Sequence, residues 1–217
     1  MNTHEEPGRP LGRFGVAAIV ALLGAATIVV PAIATNNLNA SWKDVPSGVY
    51  QNYIRYYFHS SVPTSPTSFR TRIVYGAATW NSAQRELFFS HGTSSNTLIT
   101  ITSEDLAFPN GDALAISMTF AGACLGDICT GSMAYNSTPS IFHFYTGTST
   151  PNRNNNEVDL WSVAAHEFGH QVSLTHPGLA TTYEFNTMYE VIDAGTIHAR
   201  DRHSHDTEGI NALYPPK

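Results

Sequence analysis

An α+β fold is expected from the order of elements along the chain. A strand and a helix open the folded part, a run of short strands follows, and helices close it, with no internal repeat. One domain accommodates all of these. Of 217 residues, 42% are hydrophobic and 11% aromatic, which excludes disorder and supplies a sizeable core. A formal net charge of −6, from 11 Lys+Arg against 17 Asp+Glu, lacks the basic footprint of a nucleic-acid binder. Two cysteines cannot make a disulfide-dense scaffold or a Cys-rich metal site.

The N-terminal 34 residues stand apart from the domain. Phe14 to Ala34 is a run of 21 residues without a charge, with Arg9 and Arg13 just before it and the small-x-small sequence Ala32-Ile33-Ala34 at its end. This is the layout of a secretory signal, although Glu5 and Glu6 dilute its positive start. The run is also long enough to span a bilayer uncut. A cleaved signal is the favoured expectation and a membrane anchor the alternative. Both export everything after residue 34, so the only membrane contact expected is through an uncleaved segment. Residues 35–48 are expected to be a linker and residues 49–217 the folded domain.

Val49 to Phe58, rich in Tyr and Ile, suits a first strand. After Pro63 and Pro66, Thr67 or Ser68 can cap a helix running to about Phe89, because Ile73, Ala77, Trp80, Ala83 and Leu87 recur at helical spacing. Thr97 to Thr102 alternates in strand fashion, with Ile99 and Ile101 on one face. Ala113 to Phe120 is a third strand after the Asn110-Gly111 turn, and Ser132 to Asn136 and Ile141 to Tyr145 are two shorter ones around Pro139. Gly147 to Asn156, rich in Thr, Pro and Asn, reads as a surface loop. A second helix is expected after Asp159 as N-cap, buried through Val158, Trp161, Val163, Ala164, Phe168 and Val172. A last short helix covers Asp206 to Tyr214.

The second helix carries the chemistry. His166-Glu167-Phe168-Gly169-His170 has the pattern HExxH, and His176 follows six residues later. In a chain with 10 His, this five-residue pattern is expected about 0.02 times by chance. Four helical residues advance about 6 Å and turn about 400°, so His166 and His170 share a face and can reach one zinc ion. Glu167 is placed to touch a water activated by that zinc and to act as general base. His176 lies too far along to share the face, so the helix must end and the chain turn back. Three histidines leave a fourth position open, the arrangement that catalysis uses.

These residues resemble the metzincin zinc peptidases, and among them the matrixins. Ala164 to His170 is similar to the matrixin helix, Asn186-Thr187-Met188-Tyr189 to the Met-turn beneath the metal, and His205 to Tyr214 to the C-terminal helix. The resemblance implies a zincin-like domain with a twisted mixed sheet of about five strands. It also implies zinc held by His166, His170 and His176, support from Met188, and hydrolysis of peptide bonds in an extended peptide or protein substrate. That substrate would pair with an edge strand, expected to be Ser132 to Asn136, while Tyr189 to about His205 walls a side-chain pocket. Three departures stand out. Ser173 occupies the place of a family glycine where the helix ends, His176-Pro177-Gly178 is closer to the serralysins, and Glu190 stands where some metzincins carry a tyrosine.

The leading expectation is therefore an exported zinc metalloendopeptidase working as a monomer. A non-catalytic, zinc-stabilised surface module is the alternative, and Glu167 argues against it because a structural site needs no base. Cys124 and Cys129 are expected to form one local disulfide. Calcium is conceivable near Asp105, Asp112, Asp127 and residues 152–156, but no ligand spacing supports it. His198, His203 and His205 are read as loop polarity rather than a second metal site.

Overall fold

The computed structural model describes residue 42 and residues 52–81, 87–95, 97–106, 113–120, 128, 130–138, 142–177 and 183–214. The apolar segment 14–34, Cys124, Cys129, Asp112 and Asp127 lie outside the described residues. The described residues form seven strands and three α-helices: β1 (Asn52–Phe58), α1 (Ser68–Asn81), β2 (Leu87–His91), β3 (Ile99–Glu104), β4 (Ala115–Phe120), β5 (Thr130–Asn136), β6 (His143–Tyr145), β7 (Glu157–Asp159), α2 (Leu160–Gln171) and α3 (Ser204–Leu213).

The main sheet has five strands in the order β2-β1-β3-β5-β4, parallel except for β4, which runs antiparallel to β5. This is the mixed five-stranded α+β arrangement expected from the sequence. The alternation read in β3 holds, with Ile99 and Ile101 fully buried beside Ile54 and Tyr56 of β1 and Met133 and Tyr135 of β5. Helices α1 and α2 cross closely where Gly76 meets Ala164, since a side chain at Gly76 would collide with the Ala164 methyl. Trp80 of α1 seals the same interface and donates its indole N–H to the Ala165 carbonyl at 2.7 Å.

Two expectations are corrected. The first helix ends at Asn81 rather than near Phe89, and Leu87 belongs to β2, which pairs with β1 from Asn52↔Leu87 onward. Its Leu-Phe-Phe run is short enough to fit either period, and pairing with β1 decided it. Ser132 to Asn136 is not an edge. It lies within β5, flanked by β3 and β4, and β4 is the outer strand on that side. Strand order depends on pairing between distant segments, which alternation within one segment does not reveal.

The loop 147–156 contains a single 3₁₀ turn at Arg153–Asn155 and returns through β7, which pairs in parallel with β6. Asp159 caps α2 as expected, accepting from the Ser162 N–H at 2.8 Å. It is fully buried and paired with Arg200 through contacts of 2.9 and 2.6 Å. Arg200 also donates to the Thr148 carbonyl, tying the loop to the start of the helix. Trp161 does not enter the core. It lies half-exposed against Tyr75, with the Arg200 guanidinium 5.1 Å over its ring. Trp42, within the expected linker, is buried and donates to the Gln171 carbonyl at 2.6 Å.

Candidate active site

Helix α2 lies under the outer strand β4, where the Ser117 hydroxyl donates to the Glu167 carbonyl and the Gln171 side chain donates to Ser117, Met118 and Ser132. His166, Glu167 and His170 are all buried in it. The helix then ends in a Schellman turn. The Leu174 N–H reaches the Gly169 carbonyl at 3.1 Å and the Ser173 N–H reaches the His170 carbonyl at 2.9 Å, with Ser173 left-handed at φ 68°. A serine there costs on the order of 1–2 kcal/mol relative to glycine. The turn forms nevertheless, and it carries His176 back over the helix.

The three Nε2 atoms form an equilateral triangle with sides of 3.1 Å. Nδ1 of His166 lies 2.8 Å from the Thr187 carbonyl, and Nδ1 of His170 lies 2.8 Å from the Leu174 carbonyl. A carbonyl only accepts, so each of these Nδ1 atoms carries the proton and each Nε2 is left as a bare lone pair. Lone pairs aimed at one another at this distance repel unless a cation lies among them. The corners of such a triangle are about 1.8 Å from its centre, so an ion at the usual zinc–nitrogen distance of about 2.0–2.1 Å reaches all three. Burial lowers the basicity of His166 well below the ordinary imidazole value and that of His170 to about 3, and it lowers that of His176 as well. All three are held in the neutral form that a metal requires. Among the described residues this is the one group of three or more His, Cys, Asp or Glu side chains placed to share an ion.

Glu167, the next residue on the helix, has a carboxylate oxygen that is buried without a hydrogen-bond partner. Burial raises its pKa to about 8. A buried acceptor left open calls for a polar guest. Beneath the triangle, Met188 packs against Gly169 so tightly that a Cβ there would collide with its sulfur and lie 2.7 Å from Trp80 Cζ2. Asp206 at the start of α3 clamps this turn, accepting from the Thr187 N–H at 2.9 Å and the Met188 N–H at 3.1 Å. A cavity of about 420 Å³ opens beyond the turn, lined by Tyr189, Val191, Asp193, Thr196 and His198 together with Glu184 and Phe185.

All five residues singled out in the sequence, His166, Glu167, His170, His176 and Met188, therefore meet in one place. His198, His203 and His205 do not converge: His203 faces the His198 carbonyl and His205 packs on the Tyr183 ring. Sequence reasoning missed the supporting contacts. Gly169 was part of the pattern, but its need for a bare α-carbon shows only against Met188, and nothing local marks Asp206 as the clamp of the turn.

A neutral three-histidine cluster beside a buried carboxylate, on a mixed α+β domain, belongs to the class of zinc-dependent hydrolases. The Matrixin family model matches residues 49–215, and the chain belongs to the matrixin family of zinc metallopeptidases. No curated protein matches the chain.

Proposed function

We propose that the protein is an exported endopeptidase in which His166, His170 and His176 hold zinc and Glu167 is the general base. The convergence of three imidazole Nε2 atoms next to an unpartnered carboxylate oxygen carries this reading. Zinc, when bound, polarises a peptide carbonyl and makes water acidic enough to attack it near neutral pH. Burial alone would keep the Glu167 carboxyl protonated up to about pH 8. Beside a divalent ion the ionised form is favoured, and in that form Glu167 takes a proton from the attacking water and returns it to the leaving amine. The Thr187 and Leu174 carbonyls keep two imidazoles oriented through the cycle.

An extended substrate adds to β4, the outer strand lying along α2, by main-chain pairing. One of its side chains enters the cavity walled by residues 189–198. The uncharged run 14–34, with Arg9 and Arg13 before it and Ala32-Ile33-Ala34 at its end, supports export, with residues 49–217 as the catalytic unit.

Replacing Glu167 by Ala tests the chemistry. Hydrolysis of a mixed peptide library is expected to fall by at least 10²-fold while zinc content stays near stoichiometric. Undiminished cleavage would remove Glu167 from the mechanism. Export is checked by N-terminal sequencing of protein recovered outside the cell, which is expected to begin at Thr35.

A further inference from the structure

The three imidazoles are not oriented alike. His166 and His170 each present Nδ1 to a backbone carbonyl at 2.8 Å, one supplied by the Met-turn and one by the helix end. His176 presents Nδ1 to a side chain, the Glu190 carboxylate, at 3.6 Å. That separation is too long for a hydrogen bond, so the carboxylate acts on the neutral ring through its charge. Both side chains are only partly exposed, 17% for His176 and 26% for Glu190, so solvent screens the contact incompletely.

We propose that Glu190 is a positioning residue for the metal: its carboxylate faces Nδ1 of His176 and orients the ring by its charge, where the two carbonyls orient its companions by hydrogen bonds. His176 needs this more than they do. It follows a left-handed serine instead of riding on a helix, and it is the most exposed of the three. Glu190 is two residues past Met188, so one turn orients both ends of the triangle: its Thr187 carbonyl holds His166, and its continuation holds His176. A carboxylate at this place does more than a carbonyl. It adds a negative charge behind the ligand, which strengthens the nitrogen as a donor and offsets part of the charge of a divalent ion.

The inference rests on the three-histidine site taking zinc, and the experiment separates the two claims. The full chain and its Glu190→Ala and Glu190→Gln variants are titrated with zinc against a chromogenic chelator, and the thermal unfolding of each is followed without metal. Glu190→Ala is expected to bind zinc about 10–100-fold more weakly, with metal-free unfolding unchanged. Glu190→Gln, which keeps a polar oxygen toward Nδ1 but not the charge, is expected to recover only part of the loss. With cobalt in place of zinc, the visible absorption bands of Glu190→Ala are expected to shift, since the third ligand turns. Zinc affinity equal to that of the unaltered chain would overturn the proposal, as would a loss matched by lower metal-free stability. An unaltered chain that takes up no zinc would overturn the site and this role together.

Discussion

The two halves of the histidine triangle are built by different means. His166 and His170 ride on a buried helix, packed under Trp80 and the Met-turn, and their spacing is a property of any α-helix. His176 stands on a turn whose pivot, Ser173, occupies a backbone region that L-residues avoid, and its side chain reaches solvent. One half is stiff because it is packed. The other is placed by a few hydrogen bonds and one carboxylate. Precision at a metal site can thus come from packing or from local bonding, and the two respond differently to perturbation.

The packed half is the one to break first. Gly169→Ala forces a methyl group onto the Met188 sulfur and the Trp80 ring, neither of which has room to retreat. A loss of about 2–3 kcal/mol is expected in chemical denaturation, together with weaker zinc binding. An unchanged denaturation midpoint would show that the Met-turn is softer than its burial implies.

Acid is expected to act on the same half. An unfolded histidine takes up its proton near pH 6.5, whereas burial delays His170 to about 3 and also lowers His166. Between those limits the two imidazoles bind more protons in the unfolded chain, so their contribution is complete above about pH 6.5 and is lost as the pH falls below it. The Glu167 carboxyl, raised to about 8 by burial, holds its proton in the folded chain over the same range and offsets that loss. For the zinc-free Glu167→Gln variant, which removes that offset, going from pH 7.5 to 5.5 is expected to cost on the order of 2–3 kcal/mol in urea denaturation. A flat profile would mean that these imidazoles are better solvated than their surroundings allow.

The turn half offers the smallest effect and the opposite sign. Ser173→Gly removes the left-handed penalty and is expected to stabilise the protein by about 1 kcal/mol, less whatever the freer unfolded chain regains. A rise of a few degrees in the melting temperature would sharpen the contrast. A fall would mean that the serine side chain earns its place through contacts of its own.

What could be read from the sequence divides along similar lines. The helix, its Asp159 cap and the metal-facing pair were legible because helical period and capping are local. Met188 was legible as part of a short pattern. Strand β2 was hidden because Leu87, Phe88 and Phe89 fit two periods, and the outer position of β4 was hidden because sheet order is decided between segments far apart in the chain. In the sequence Glu190 stands out only as a departure from a tyrosine. Its approach to His176 spans 14 residues and depends on the Met-turn, so no spacing rule could announce it.

Two indoles grip the backbone of helix α2 at separate points, Trp80 at Ala165 and Trp42 at Gln171. Their ultraviolet emission should therefore follow the state of that helix without any attached dye. Because Trp42 comes from the stretch ahead of the first strand, trimming the chain close to that point would also loosen the far end of the machinery it precedes in the chain.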